Sequence, residues 1–196
     1  AEPCACSLAC DAERRSSLRR LAAGALTLCG SVEALAAGAA VGPPSDPPRA
    51  GDWLVPVDAE QPVPLTVNDL KLDAKQVIVW PVDPATRQPR DGSRLNRIIL
   101  LKVDSQRMDA ATKPRSADGV LAYSAICTHQ GCDVSSWRPA EKTLLCFCHF
   151  SQFQPAESGA VVSGPAPRGL PSLPLRSDGL RLVLGGGFSE SPGGMG

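Results

Sequence analysis

Aromatic residues make up only 4% of this 196-residue sequence, and there are just two histidines and two methionines. Charge of one sign is also missing in excess. Twenty basic residues balance twenty acidic ones, which gives no reason to expect nucleic acid or an anionic membrane surface as a partner. No long apolar run occurs either. A spanning helix needs about 20 apolar residues, and the uncharged stretch from Leu21 to Val32 is stopped by Glu33. An acid near the centre of such a helix costs about 2.5–3.5 kcal/mol on insertion scales. What is abundant is glycine (18), proline (19) and cysteine (8). Frequent turn formers suit short strands better than a helix bundle.

The first segment has the layout of an export leader. Basic residues (Arg14, Arg15, Arg19, Arg20) precede the uncharged stretch, and Ala34-Leu35-Ala36 and Ala37-Gly38-Ala39 both offer a cleavage pattern. The Arg14-Arg15 pair with Leu18 is a partial match to the twin-arginine pattern, because Ser17 stands where a large apolar residue is usual. Residues 1–41 are therefore expected to act as a twin-arginine-type leader, carrying a folded protein to the periplasm. The alternative is an uncleaved leader that anchors the chain. Cys4, Cys6, Cys10 and Cys29 fall in this segment and receive no role.

Residues 42–50 read as a Pro-rich linker, and residues 51–185 as one domain. Short β-type runs occupy Trp53–Val55, Val77–Trp80, Arg97–Val103, Val120–Ala125, Thr143–Phe147, Ala160–Ser163 and Leu180–Leu184. They are separated by turn signals at Asp91-Gly92, Asp118-Gly119, Ser158-Gly159 and Asp178-Gly179. This spacing argues for an all-β fold of antiparallel strands, a sandwich or barrel. Helix is expected only over Val67–Leu72 and Ser105–Thr112. Asp104–Gly119 reads as a polar surface insertion, and 186–196 as a loose, Gly-rich tail.

Both histidines lie among the last four cysteines, in Cys127-Thr128-His129-Gln130-Gly131-Cys132 and Cys146-Phe147-Cys148-His149-Phe150-Ser151. Each loop offers one cysteine and one histidine as a ligand pair, Cys127 with His129 and Cys146 with His149. Each also carries one spare cysteine, Cys132 and Cys148, and these can close a disulfide that clamps the loops together. Such a bond persists in an oxidising compartment, in keeping with export. Two thiolates and two imidazoles suit a [2Fe-2S] cluster, in which neutral imidazoles on one iron make reduction easier and raise the potential to roughly −150 to +300 mV. The same four ligands could instead hold structural zinc, or the cysteines could form disulfides alone.

These boxes resemble the high-potential branch of the Rieske iron–sulfur family. Gly164-Pro165-Ala166-Pro167, with Leu170 and Leu173-Pro174-Leu175, is similar to the loop that covers the cluster in that family. The resemblance runs from about Ala125 to Leu184. It implies stacked antiparallel sheets with a small cluster-binding subdomain inserted at about 125–170, and one [2Fe-2S] cluster that passes single electrons. It also implies tuning positions. Ser151 stands where the family places a serine that hydrogen-bonds a cluster sulfur. Phe153 stands where quinol-oxidising members carry a tyrosine that donates a second bond. Zinc would leave the cover loop unexplained. The oxygenase branch is excluded, because its mononuclear iron needs two further histidines and a carboxylate, and the chain has no other histidine.

At the docking tip, Gln130 replaces the leucine and Phe150 the glycine usual in cytochrome bc-type members, and Phe147 replaces a proline. The His149-Phe150-Ser151-x-Phe153 pattern looks more like the small subunit of arsenite oxidase. That likeness implies a relay subunit of an exported oxidoreductase. Its partners would be a larger catalytic subunit, molybdenum-containing, and a cytochrome c or cupredoxin acceptor. The alternative is a quinol-oxidising subunit working with a cytochrome b. A third class is a free carrier with no fixed partner. No substrate-converting centre of its own is expected.

Overall fold

The structure, a computed structural model, describes residues 45–194. The expected leader, its four cysteines and the start of the linker lie outside the described residues. No helix among the described residues is long and apolar enough to cross a membrane.

Among the described residues, eleven short strands form two antiparallel sheets. The larger contains β1 (Trp53–Pro56), β2 (Val77–Val82), β3 (Ile98–Lys102), β4 (Val120–Ser124), β9 (Ser172–Leu173), β10 (Leu175–Ser177) and β11 (Leu182–Leu184). Their spatial order is β10-β11-β1-β2-β3-β4-β9. The first and last strands of that order are separated in the chain by Pro174 alone, so the sheet curls until its two edges meet at one corner. Proline has no N–H to offer a ladder, which suits it to that corner. The smaller sheet is a meander of β5 (Ser136–Arg138), β6 (Thr143–Cys146), β7 (Ser151–Gln154) and β8 (Ala160–Ser163). It is inserted between β4 and β9. The fold is all-β, as expected from the turn-rich composition.

Strand periodicity explains how the sheets stack. Ile98, Leu100, Val120 and Ala122 point into the curled sheet, where they join Leu54, Val79, Leu173, Leu175, Leu182 and Leu184. The alternate residues Ile99, Leu101, Leu121 and Tyr123 face the other way and pack with Trp137, Leu144 and Phe153 of the small sheet. β3 and β4 are thus buried on both faces, and their near-continuous apolar run follows from that. Cys127 and Cys146 belong to the second cluster.

Several expectations need correction. Over Val67–Leu72 and Ser105–Thr112 only single 3₁₀ turns form, Val67–Asp69 and Ser105–Arg107, each opened by a side-chain cap from Thr66 or Asp104. Strands β5, β7, β9 and β10 carry polar or isolated residues and gave no run to recognise. The 104–119 segment is more than a surface insertion. Met108 enters the core between the sheets, and Thr112 accepts the backbone N–H of Ser158 at 2.6 Å. Its Asp118-Gly119 turn has both residues at positive φ, as tight hairpins require. Residues 185–194, expected to be loose, are pinned by the hydrogen bonds Gly185 N–H to Pro174 O (2.7 Å) and Ser189 N–H to Ser172 O (2.8 Å). Glycine there permits close backbone approach rather than slackness.

Candidate metal centre

The first box leaves β4 and returns on itself at once. Ile126 and Asp133 form an antiparallel bridge. Within it Cys127 N–H donates to Cys132 O (2.7 Å) and Gly131 N–H to Cys127 O (3.0 Å). Gly131 sits at φ +74°, a conformation that glycine adopts without steric cost. Asp133 braces the exit of the loop through the guanidiniums of Arg94 and Arg97. Burial pushes its carboxyl up, but the two arginines outweigh that and hold it below the usual range.

The second box is the turn of a hairpin. Cys146 and Ser151 pair across β6 and β7, which leaves Phe147–Phe150 as the tip. Phe150 has φ +60°, a strained region for a bulky residue. Glycine, which cytochrome bc-type members usually carry there, adopts that geometry without steric cost. A disulfide joins Cys132 to Cys148 and ties the two tips together.

These constraints bring the remaining donors face to face. Cys127 and Cys146 are 1% and 2% exposed, and both thiols are free. Burial pushes the Cys127 thiol up and the adjoining Cys146 adds to this, against the His129 N–H and the Ser151 hydroxyl, which pull it down. The two imidazoles meet edge-on, ring centroids 4.6 Å apart, with His129 Nδ1 3.2 Å from His149 Nδ1. His129 is half-buried and His149 exposed. Two nitrogens about 2 Å from one metal at a near-tetrahedral angle stand about 3.3 Å apart, so the imidazole pair fits a shared ion. A buried thiol pair and a more exposed imidazole pair, carried by the same two loops, suit a group with a sulfur side and a nitrogen side. The sulfurs of Cys132, Cys146 and Cys148 also lie within 4.8 Å of one another. Two of those three are committed to the disulfide, so that trio offers a metal only Cys146.

The third loop closes the site. Gly164, at φ +88°, runs so close to the second box that a Cβ would fall 2.5 Å from Ser151 Cα. Ala166 N–H donates to Ser151 Oγ at 3.2 Å, and Thr128 Oγ1 donates to Arg168 O at 2.6 Å. Ser151, 1% exposed, accepts from Ala166, and its hydroxyl pulls the Cys127 thiol down. Phe153 is fully buried in the inter-sheet core and offers no polar atom. Gln130, Phe147 and Phe150 stay exposed, the two phenylalanines at 56% and 64% on either side of Cys148-His149. Thr128 and Arg168 escape sequence reading, since a threonine inside a box and an arginine in a loop carry no signal beyond their position.

An all-β scaffold that ties two Cys/His loops together defines a class of protein with sulfur and nitrogen donors side by side. Comparison with known families makes the assignment specific. The sequence profile of the Rieske [2Fe-2S] domain matches residues 67–174, and the chain belongs to that family. A protein of Haloferax mediterranei described as a putative respiratory nitrate reductase subunit Rieske is 36% identical over 110 residues, 56% of this chain and 49% of its own. The cytochrome bc1 complex Rieske iron–sulfur subunit of Corynebacterium diphtheriae is 47% identical over 73 residues, 37% of this chain and 18% of its own. The chain thus spans half or less of the length of these relatives. Among solved structures, the plasma membrane Rieske protein of the cyanobacterium Synechocystis aligns at TM-score 0.35 and 24% identity, over 55% of this chain and 84% of that one.

Proposed function

We propose that the chain passes single electrons through one [2Fe-2S] cluster held by Cys127, Cys146, His129 and His149, as the relay subunit of an exported oxidoreductase. The observation that carries this reading is the pair of facing Nδ1 atoms on the two loops that also carry two buried, free thiols. A cluster bound there supplies a one-electron couple at a potential raised by its imidazole ligands. The protein's part is to hold the donors and shape their surroundings. Cys127 and Cys146 supply thiolates from the interior. His129 and His149 turn Nδ1 inward and leave their outer edges towards a partner. The Cys132–Cys148 disulfide keeps the two tips in register and favours an oxidising compartment such as the periplasm.

Ser151 tunes the site. Its hydroxyl donates to sulfur and stabilises the charge gained on reduction. Ser151→Ala should retain the cluster and lower its midpoint potential by roughly 60–130 mV, the worth of one hydrogen bond to a charged acceptor. An unchanged redox titration contradicts this role. Phe153 supplies no second bond, which places the potential below that of members with a tyrosine there.

The exposed Phe147 and Phe150 beside His149 form an apolar collar for a redox partner. The similarity to a nitrate reductase Rieske subunit supports a larger catalytic redox subunit as that partner. The arsenite-oxidase-like tip favours a molybdenum-containing one, with a cytochrome c or cupredoxin as acceptor. The similarity to cytochrome bc1 subunits favours a second reading, contact with a cytochrome b and quinol at the same tip. Fractionating producing cells separates the two. Release into the soluble fraction together with a molybdenum subunit is expected, whereas retention with a cytochrome b establishes the second reading.

A further inference from the structure

One segment reaches the site without belonging to any of its three loops. After β11 the chain passes Pro174 and runs beside β9, where Ser189 N–H donates to Ser172 O and Ser189 Oγ accepts Ser172 N–H at 3.0 Å. It then arrives at the first box. A Cβ on Gly194 would stand 2.5 Å from His129 O and 3.1 Å from His129 C, so the strap lies backbone against backbone on the residue that carries the imidazole. Only glycine fits that contact unless something moves.

Arg168 holds this strap down. Its Nη1 pairs with Glu190 Oε2 at 3.1 Å, and its Nη2 donates to Ser191 O at 2.7 Å and to Gly193 O at 2.9 Å. Its own carbonyl accepts the Thr128 hydroxyl of the first box. One residue of the cover loop therefore joins the box, the cover and the strap. A planar guanidinium can serve several acceptors in fixed directions, and an ammonium cannot reproduce that fork. Between the strap and the first box lies an open cleft of about 420 Å³, walled by His129, Gln130, Pro192 and Gly193 with Leu95 at its side. The strap thus shapes the surface at the imidazole edge as well as the backbone behind it.

We propose that Arg168 and the strap 189–194 are positioning elements for the His129 ligand. They fix the backbone that aims its imidazole and form one wall of the cleft through which a redox partner reaches it. The proposal rests on the cluster-binding reading above. Outer partners that orient a metal-binding histidine act on the metal through it, and here the orientation is imposed on the main chain.

The test compares the protein as produced with Arg168→Ala, Arg168→Lys and Gly194→Ala, all loaded with cluster. It follows the electron paramagnetic resonance g-values of the reduced form, the midpoint potential and the rate of cluster loss to a chelator. The expected result is shifted g-values and a shifted potential in Arg168→Ala and Gly194→Ala. Cluster loss should be about tenfold faster, the lower end of what losing an outer partner costs. Arg168→Lys should fall between these and the parent. A strap that only adds stability would leave g-values and potential untouched, so parental values in both alanine variants overturn the proposal. A parent with no cluster signal at all sinks the cluster-binding reading itself, and this inference with it.

Discussion

Serine in place of Cys127 or Cys146 should give a colourless protein that still folds its large sheet. Both thiols are buried, and burial raises the Cys127 thiol. Two adjoining thiols in such a place become thiolates only against compensating positive charge. A serine oxygen is a far weaker ligand for iron and leaves a buried hydroxyl without a partner. Retention by the remaining three donors is not expected, because the iron on the thiolate side would keep only one protein ligand. The large sheet should survive, since its interior is built from Leu54, Val79, Ile98, Leu100 and their neighbours without contribution from either cysteine. The visible spectrum and iron content report the first effect, and far-ultraviolet circular dichroism the second. A coloured Cys127→Ser protein with parental iron content would remove Cys127 from the ligand set.

The second large effect concerns the disulfide. Replacing both Cys132 and Cys148 with serine opens a cross-link between residues 16 apart. Loop closure of that length is worth about 3 kcal/mol. For a domain of this size that corresponds to a fall in Tm of roughly 6–12 °C. The effect on the site should exceed the effect on the fold. The bond joins the tips that carry His129 and His149, and the second tip is already strained at Phe150. Without the clamp, the 3.2 Å approach of the two imidazoles has no covalent support, and cluster loss should precede unfolding on heating. Coincident loss of colour and of secondary structure would show that the clamp is not what holds the tips.

Much of this was legible in the amino-acid order, for identifiable reasons. β3 and β4 announce themselves because both faces are buried, which forces apolar residues at nearly every position. The Asp118-Gly119 turn is readable because few residue pairs tolerate two successive positive φ values. The two boxes stand out because cysteine and histidine are rare and here coincide. By contrast, β5, β7, β9 and β10 are short and mostly polar, and they exist only because a neighbouring strand completes them. The order of the strap is not legible in the sequence, because glycine marks close approach as readily as freedom, and composition does not distinguish the two. Gly194 against His129 is the case in point. The links from Thr128 and Arg168 are long-range, from residues 40 positions apart in one bond, and no local pattern signals them.

The measurement that bears most directly on the account is the metal content of the purified protein together with the resonance spectrum of its reduced form. Iron and acid-labile sulfide are expected in equal amounts, with a rhombic signal of the mixed nitrogen–sulfur kind that vanishes on oxidation. Zinc without sulfide, in a protein with no signal in either state, would contradict it.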